Sequence, residues 1–117
     1  MSLHGELAER LIEHYGPDLA ESPRLSHDAV TAIFQDGLAL ELRFAGAEEY
    51  ALRWRRGEAE LCIDTAPLHR QLATFPHHLH DDRGGLRADP VTQPGREPWE
   101  NVRALVDRIR RDPLLAG

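Results

Sequence analysis

The segment from Asp64 to Asp82 concentrates side chains that bind protons or metal ions near neutral pH. It reads Asp64-Thr-Ala-Pro-Leu-His-Arg-Gln-Leu-Ala-Thr-Phe-Pro-His-His-Leu-His-Asp-Asp82, so four of the seven histidines, His69, His77, His78 and His80, fall close together. In an extended segment successive side chains alternate, which puts His78 and His80 on one side and His77 and Leu79 on the other. Pro67 and Pro76 stiffen the path. Three uses fit. Imidazole titrates near neutral pH, so two rings can serve as proton donor and acceptor on opposite sides of a reacting group, with phosphodiester cleavage the obvious reaction. A His-x-His pair on a strand also directs two nitrogens at one ion, so His78 and His80 can ligate a divalent metal with His69, Asp64, Asp81 or Asp82. In the third use the rings only make hydrogen bonds within a loop or line a partner-binding surface.

The elements that position this segment follow from apolar spacing. Leu3, Leu7, Leu11, Ile12 and Tyr15 recur at helical intervals, and Gly16-Pro17 supplies a left-handed cap and a block. After a loop at Glu21–Ser26, four alternating stretches separated by turn signals predict an antiparallel meander: about Ala29–Phe34, Leu38–Phe44, Tyr50–Arg55 and Ala59–Asp64. Asp36-Gly37 predicts a type I′ turn in the first hairpin. Leu38, Leu40, Leu42, Phe44, Tyr50, Leu52, Trp54, Ala59, Leu61 and Ile63 share the core face. Glu41, Arg43, Arg53, Arg55, Glu60 and Asp64 occupy the other face, which is left open for a partner. There Arg43, Arg53 and Arg55 either hold phosphates beside the histidines or pair with Glu41 and Glu60. Residues 81–97, rich in Gly, Pro and Asp, predict an irregular loop. From Pro98 a final helix carries Trp99, Val102, Leu105, Val106 and Ile109 toward the sheet, with Arg108, Arg110 and Arg111 near its C-terminal end. The expectation is one α+β domain over 1–117: N-terminal helix, four-stranded antiparallel meander, histidine-rich loop and a C-terminal helix packed on the sheet.

The bulk numbers narrow the function classes. A chain of 117 residues with 41% apolar content builds one modest core. No apolar run approaches the roughly 20 residues of a membrane span and no signal-peptide pattern opens the chain, so a cytoplasmic protein without a membrane partner is expected. Cys62 is the sole cysteine, which excludes an internal disulfide and predicts a small apolar packing residue. A net charge of −6 disfavours coating of nucleic acid through a general positive field, yet all 14 of the Lys+Arg total are arginine, the residue suited to bidentate anion recognition. There is no Gly-rich phosphate loop and no nucleophile elbow. The two edges of a four-stranded sheet leave room for a homodimer.

Asp64-Thr65-Ala66-Pro67-Leu68-His69 followed by Thr74-Phe75-Pro76-His77-His78-Leu79-His80, after a meander and before a C-terminal helix, resembles the TumE family of toxin–antitoxin proteins. Members usually show Asp-Asn-Ala-Pro-His-His and then Phe-Pro-His-His-Lys-His, so Thr65 stands in place of asparagine and Leu68 in place of a histidine. The resemblance implies a small toxin neutralised by a cognate antitoxin and inhibiting growth through attack on RNA. It further implies His78 and His80 as an acid–base pair, His69 and His77 as supporting or substrate-orienting groups, and Asp64 as the carboxylate that fixes an imidazole tautomer. No cofactor is expected on this reading. The alternatives are a divalent-metal hydrolase built from the same histidines and a non-catalytic interaction module.

Overall fold

A computed structural model describes residues 2–68 and 70–117. Helix α1 spans Leu3–Tyr15 and starts where the Ser2 hydroxyl accepts a hydrogen bond from the Gly5 N–H at 3.0 Å, satisfying one of the first-turn donors. Its buried stripe is Leu7, Ala8, Leu11 and Tyr15. Ile12, expected in that stripe, is 49% exposed, because it sits one position round the helix from Leu11. Gly16 does not form a left-handed cap. Its φ is −44° and it continues into a 3₁₀ turn over Gly16–Asp18.

The sheet has seven strands rather than four: β1 Arg24–Leu25, β2 Val30–Ile33, β3 Ala39–Phe44, β4 Tyr50–Arg56, β5 Ala59–Asp64, β6 His78–His80 and β7 Leu86–Ala88. Every neighbour in the spatial order β1 to β7 is antiparallel, so the chain is a continuous meander. The four expected strands are β2 to β5. The three additional strands are only two or three residues long, too short for periodicity to separate them from loop sequence. Thus the expected histidine-rich loop contains β6, and the expected irregular loop over 81–97 contains β7.

Turn chemistry explains β6 and β7. The Asp81 carboxylate accepts from the N–H groups of Arg83 (3.0 Å) and Gly85 (2.7 Å), which holds its pKa below the ordinary carboxylate value. Gly84 takes φ +76° and its N–H reaches the Asp81 carbonyl at 3.2 Å, while the Asp81 N–H meets the Gly85 carbonyl at 2.9 Å. The β2–β3 hairpin uses the same device: the Gly37 N–H bonds to the Phe34 carbonyl, the Phe34 N–H bonds to the Leu38 carbonyl, and Gly37 has φ +96°. Asp36 keeps a negative φ, so this is a three-residue loop with one left-handed glycine and not a type I′ turn.

Register places the apolar side chains in cross-strand rows, Leu40–Trp54–Leu61 and Leu42–Leu52–Ile63–Leu79, all buried. Helix α2, Pro98–Arg111, buries Trp99, Val102, Leu105, Val106 and Ile109 in the same cluster as α1 and the sheet. The helices are tied to each other by the Tyr15 hydroxyl donating to Asp107 at 2.6 Å, and the Trp54 indole N–H reaches the Pro113 carbonyl at 2.7 Å. Both helices therefore serve the apolar face, and the outer face carries Glu41, Arg53, Cys62 and His80 in one row and Asp64 and His78 in the next.

Candidate active site

Asp64 closes β5 and His78 opens β6, and the two residues are direct cross-strand partners; Cys62 and His80 form the next pair in the same ladder. Side chains directly opposite one another stand on the same face, so the ladder itself brings Asp64, His78 and His80 together. The Asp64 carboxylate spans both rings, with Oδ1 at 2.9 Å from His78 Nε2 and Oδ2 at 3.3 Å from His80 Nε2. The two Nε2 atoms are 3.1 Å apart. Asp64 Oδ1 also accepts from the Ala66 N–H at 3.1 Å, which fixes the carboxylate.

The proton positions follow from the partners. His78 Nδ1 lies 3.2 Å from the Pro76 carbonyl oxygen, an atom that only accepts, so Nδ1 carries hydrogen. The other ring nitrogen, Nε2, is turned toward an Asp64 oxygen and toward His80. The three residues are graded in exposure: the His78 side chain is 2% exposed, Asp64 24% and His80 46%. His80 is therefore the ring that meets solvent, backed by a carboxylate and a buried second imidazole.

His80 opens on a cleft of about 460 Å³ lined also by Arg53, Glu60, Cys62, Asp64, Asp81 and Asp82. Of the three arginines considered from sequence, Arg53 lines this cleft. Arg55 lies one step farther away, in a depression of about 300 Å³ with Arg53, Glu41 and Glu60. Arg43 is brought elsewhere, its guanidinium bonded to Asp28 at 2.8 Å and Glu41 at 3.1 Å. Cys62 is on this outer face and not in the core. Partial burial, reinforced by the nearby Asp64 charge, pushes its thiol up to about 11, so it is neutral at physiological pH.

His77 belongs to the other face. It is 4% exposed, and its Nδ1 meets Asp89 Oδ2 at 2.8 Å. Asp89 also accepts from the N–H groups of Val91 (2.8 Å) and Thr92 (3.0 Å) and from the Thr92 hydroxyl. With its proton committed to Asp89, Thr92 accepts from the Tyr50 hydroxyl at 2.7 Å. Burial pushes that phenol up to about 12. The alternation expected for an extended segment thus divides the histidines: His77 anchors the interior and His78 and His80 face the cleft. Asp89 and Thr92 have no counterpart in the sequence reading, where they fall within the irregular loop expected over residues 81–97. His69 lies outside the described residues. Of the two departures from the family pattern, Thr65 spends its hydroxyl on the backbone of Tyr50, and Leu68 is 73% exposed.

A family model described as Toxin TumE matches residues 5–112. No curated protein and no solved structure matches the chain. Among the described residues no helix is long and apolar enough to cross a membrane.

Proposed function

The chain belongs to the toxin TumE family, which points to a toxin of a toxin–antitoxin module, and we propose that it inhibits growth by cutting RNA at the cleft beside His80. The observation that carries this reading is the Asp64 carboxylate joined to both His78 and His80, with His80 opening on a cleft that also holds Arg53. A carboxylate-backed imidazole is a general base and acid of the kind that removes the proton of a ribose 2′-hydroxyl. Arg53 supplies a permanent cation for the phosphate and for the charge that develops on it.

The division of labour differs from that of two rings flanking a phosphodiester. With Nε2 atoms 3.1 Å apart, His78 and His80 leave no room for a phosphate between them. His80 transfers the proton, Asp64 orients it, and buried His78 holds Asp64 from behind. A cognate antitoxin would neutralise this chemistry by covering the open outer face.

Purified protein incubated with a single-stranded RNA tests the reading. Cleavage should fall by about 10²–10⁴-fold in His80→Ala, and Arg53→Gln should weaken RNA affinity with a shallower salt dependence. Equal cleavage by wild type and His80→Ala would remove the mechanism.

A further inference from the structure

We propose that Asp64, His78 and His80 form a binding site for one divalent transition-metal ion of the zinc type, seated between the three donor atoms. The first support is the spacing of those atoms. Two ligands about 2.0–2.1 Å from one ion, meeting at angles of about 90–109°, lie about 2.9–3.4 Å apart. The two Nε2 atoms here are 3.1 Å apart, Asp64 Oδ1 lies 2.9 Å from that of His78 and Asp64 Oδ2 lies 3.3 Å from that of His80. Both rings and the carboxylate, through one or both of its oxygens, thus stand within reach of one ion on strands already in place.

The second support is the orientation of the ligands. A metal-ligating histidine commonly donates its other ring N–H to a carbonyl or carboxylate, which fixes the tautomer. His78 meets that condition, with Nδ1 against the Pro76 carbonyl and Nε2 turned to the cluster. Asp64 is held by the Ala66 N–H. The third support is access. His78 is enclosed while His80 faces the cleft, so among the described residues the three ligands would stand on one side of the ion, with the cleft giving it a way in. Two imidazole nitrogens and one carboxylate favour zinc and its neighbours in the first transition row over magnesium or calcium, which select oxygen.

The consequence rests on the ribonuclease reading. Asp64 and His78 meet His80 at Nε2, so proton transfer to substrate goes through Nδ1; zinc on Nε2 leaves the neutral ring its hydrogen on Nδ1 and no lone pair to take a proton, so an occupied site is a switched-off site. The ion thereby regulates the toxin in the direction of inhibition.

The experiment uses the full chain without an affinity tag, stripped with a chelator and titrated with zinc chloride by calorimetry. The expected result is one ion per chain, bound at least tenfold more weakly by Asp64→Asn and by His80→Ala, and unaffected by His27→Ala on the exposed surface. Melting curves recorded without zinc verify that both site variants are folded; buried His78 is left intact for that reason. Absence of stoichiometric binding, or binding that both site variants retain, overturns the site. A second arm follows cleavage of single-stranded RNA: zinc at saturating concentration should suppress it at least tenfold and a chelator should restore it. Zinc-stimulated cleavage overturns the inhibitory role. No cleavage at any zinc concentration overturns the ribonuclease reading and the regulation built on it, while the calorimetry decides the metal site by itself.

Discussion

Replacing His77 with alanine removes the partner of a carboxylate whose side chain has no exposure to solvent. Asp89 keeps three other donors, the N–H groups of Val91 and Thr92 and the Thr92 hydroxyl, so the loss is smaller than for a fully orphaned buried charge. Loss of a hydrogen bond to a charged group, together with the space left by the ring, sets the cost at about 2–4 kcal/mol. For a domain of this size, that lowers Tm by roughly 10–20 °C. His80→Ala should behave in the opposite way. Its ring is nearly half exposed, and its contact with Asp64 is 3.3 Å, so the stability change should stay within about 1 kcal/mol. Urea unfolding followed by tryptophan fluorescence measures both, since Trp54 and Trp99 are buried in the core. The same two variants, assayed for RNA cleavage at a temperature where His77→Ala remains folded, complete the comparison: activity retained per folded molecule in His77→Ala and lost in His80→Ala. A His77→Ala variant as stable as wild type would refute the anchoring role, and a folded His77→Ala variant without activity would refute the separation of the two faces.

Asn101, 0% exposed, accepts from the Gln93 N–H and donates to the Gln93 carbonyl, so Asn101→Ala should cost about 2–4 kcal/mol by leaving both backbone groups without that partner. Denaturant unfolding checks this, and an unchanged midpoint would contradict it. With its pKa near 11, Cys62 should react with iodoacetamide at pH 7.5 roughly 10²-fold more slowly than an unperturbed cysteine, a ratio read from alkylation followed by mass spectrometry. The Asp112 carboxylate accepts from the N–H groups of Ala116 and Gly117, which lower its pKa. A carboxyl group depressed on folding adds stability above its unfolded pKa of about 3.9 and loses it as pH falls through the folded value. The difference in melting temperature between wild type and Asp112→Asn should therefore shrink between pH 6 and pH 3; a difference constant over that range would rule out the contribution.

The central strands were legible because their alternation is long enough to count. Leu38 to Phe44 and Tyr50 to Trp54 each supply at least three apolar positions on one face, and their boundaries agree with β3 and β4 within one or two residues. The outer strands were not legible for the converse reason. His78-Leu79-His80 offers a single apolar position, and Arg24-Leu25 offers one in two, so pairing with a formed neighbour decides their conformation. The first hairpin shows a different limit: Asp36-Gly37 correctly located the turn, but the dipeptide fits both a two-residue and a three-residue loop, and only the Phe34–Leu38 pairing distinguishes them.

For the site, the decisive quantity is parity along β6. Because side chains alternate, a histidine at an odd offset from Leu79 faces outward and one at an even offset shares the interior with it. Leu79 is fully buried beside Ile63, which fixes His78 and His80 on the outer face and sends His77 inward. Counting histidines could not assign these roles, whereas one buried leucine does. Asp64 owes its place to the same rule, since its register with His78 follows once Ile63 and Leu79 are paired in the core. The chemistry of the outer face is thus set by hydrophobic packing on the inner one. A substitution that weakens the seat of Leu79 should loosen the Asp64–His78–His80 geometry before it unfolds the domain, because β6 is held by only three ladder positions on each side.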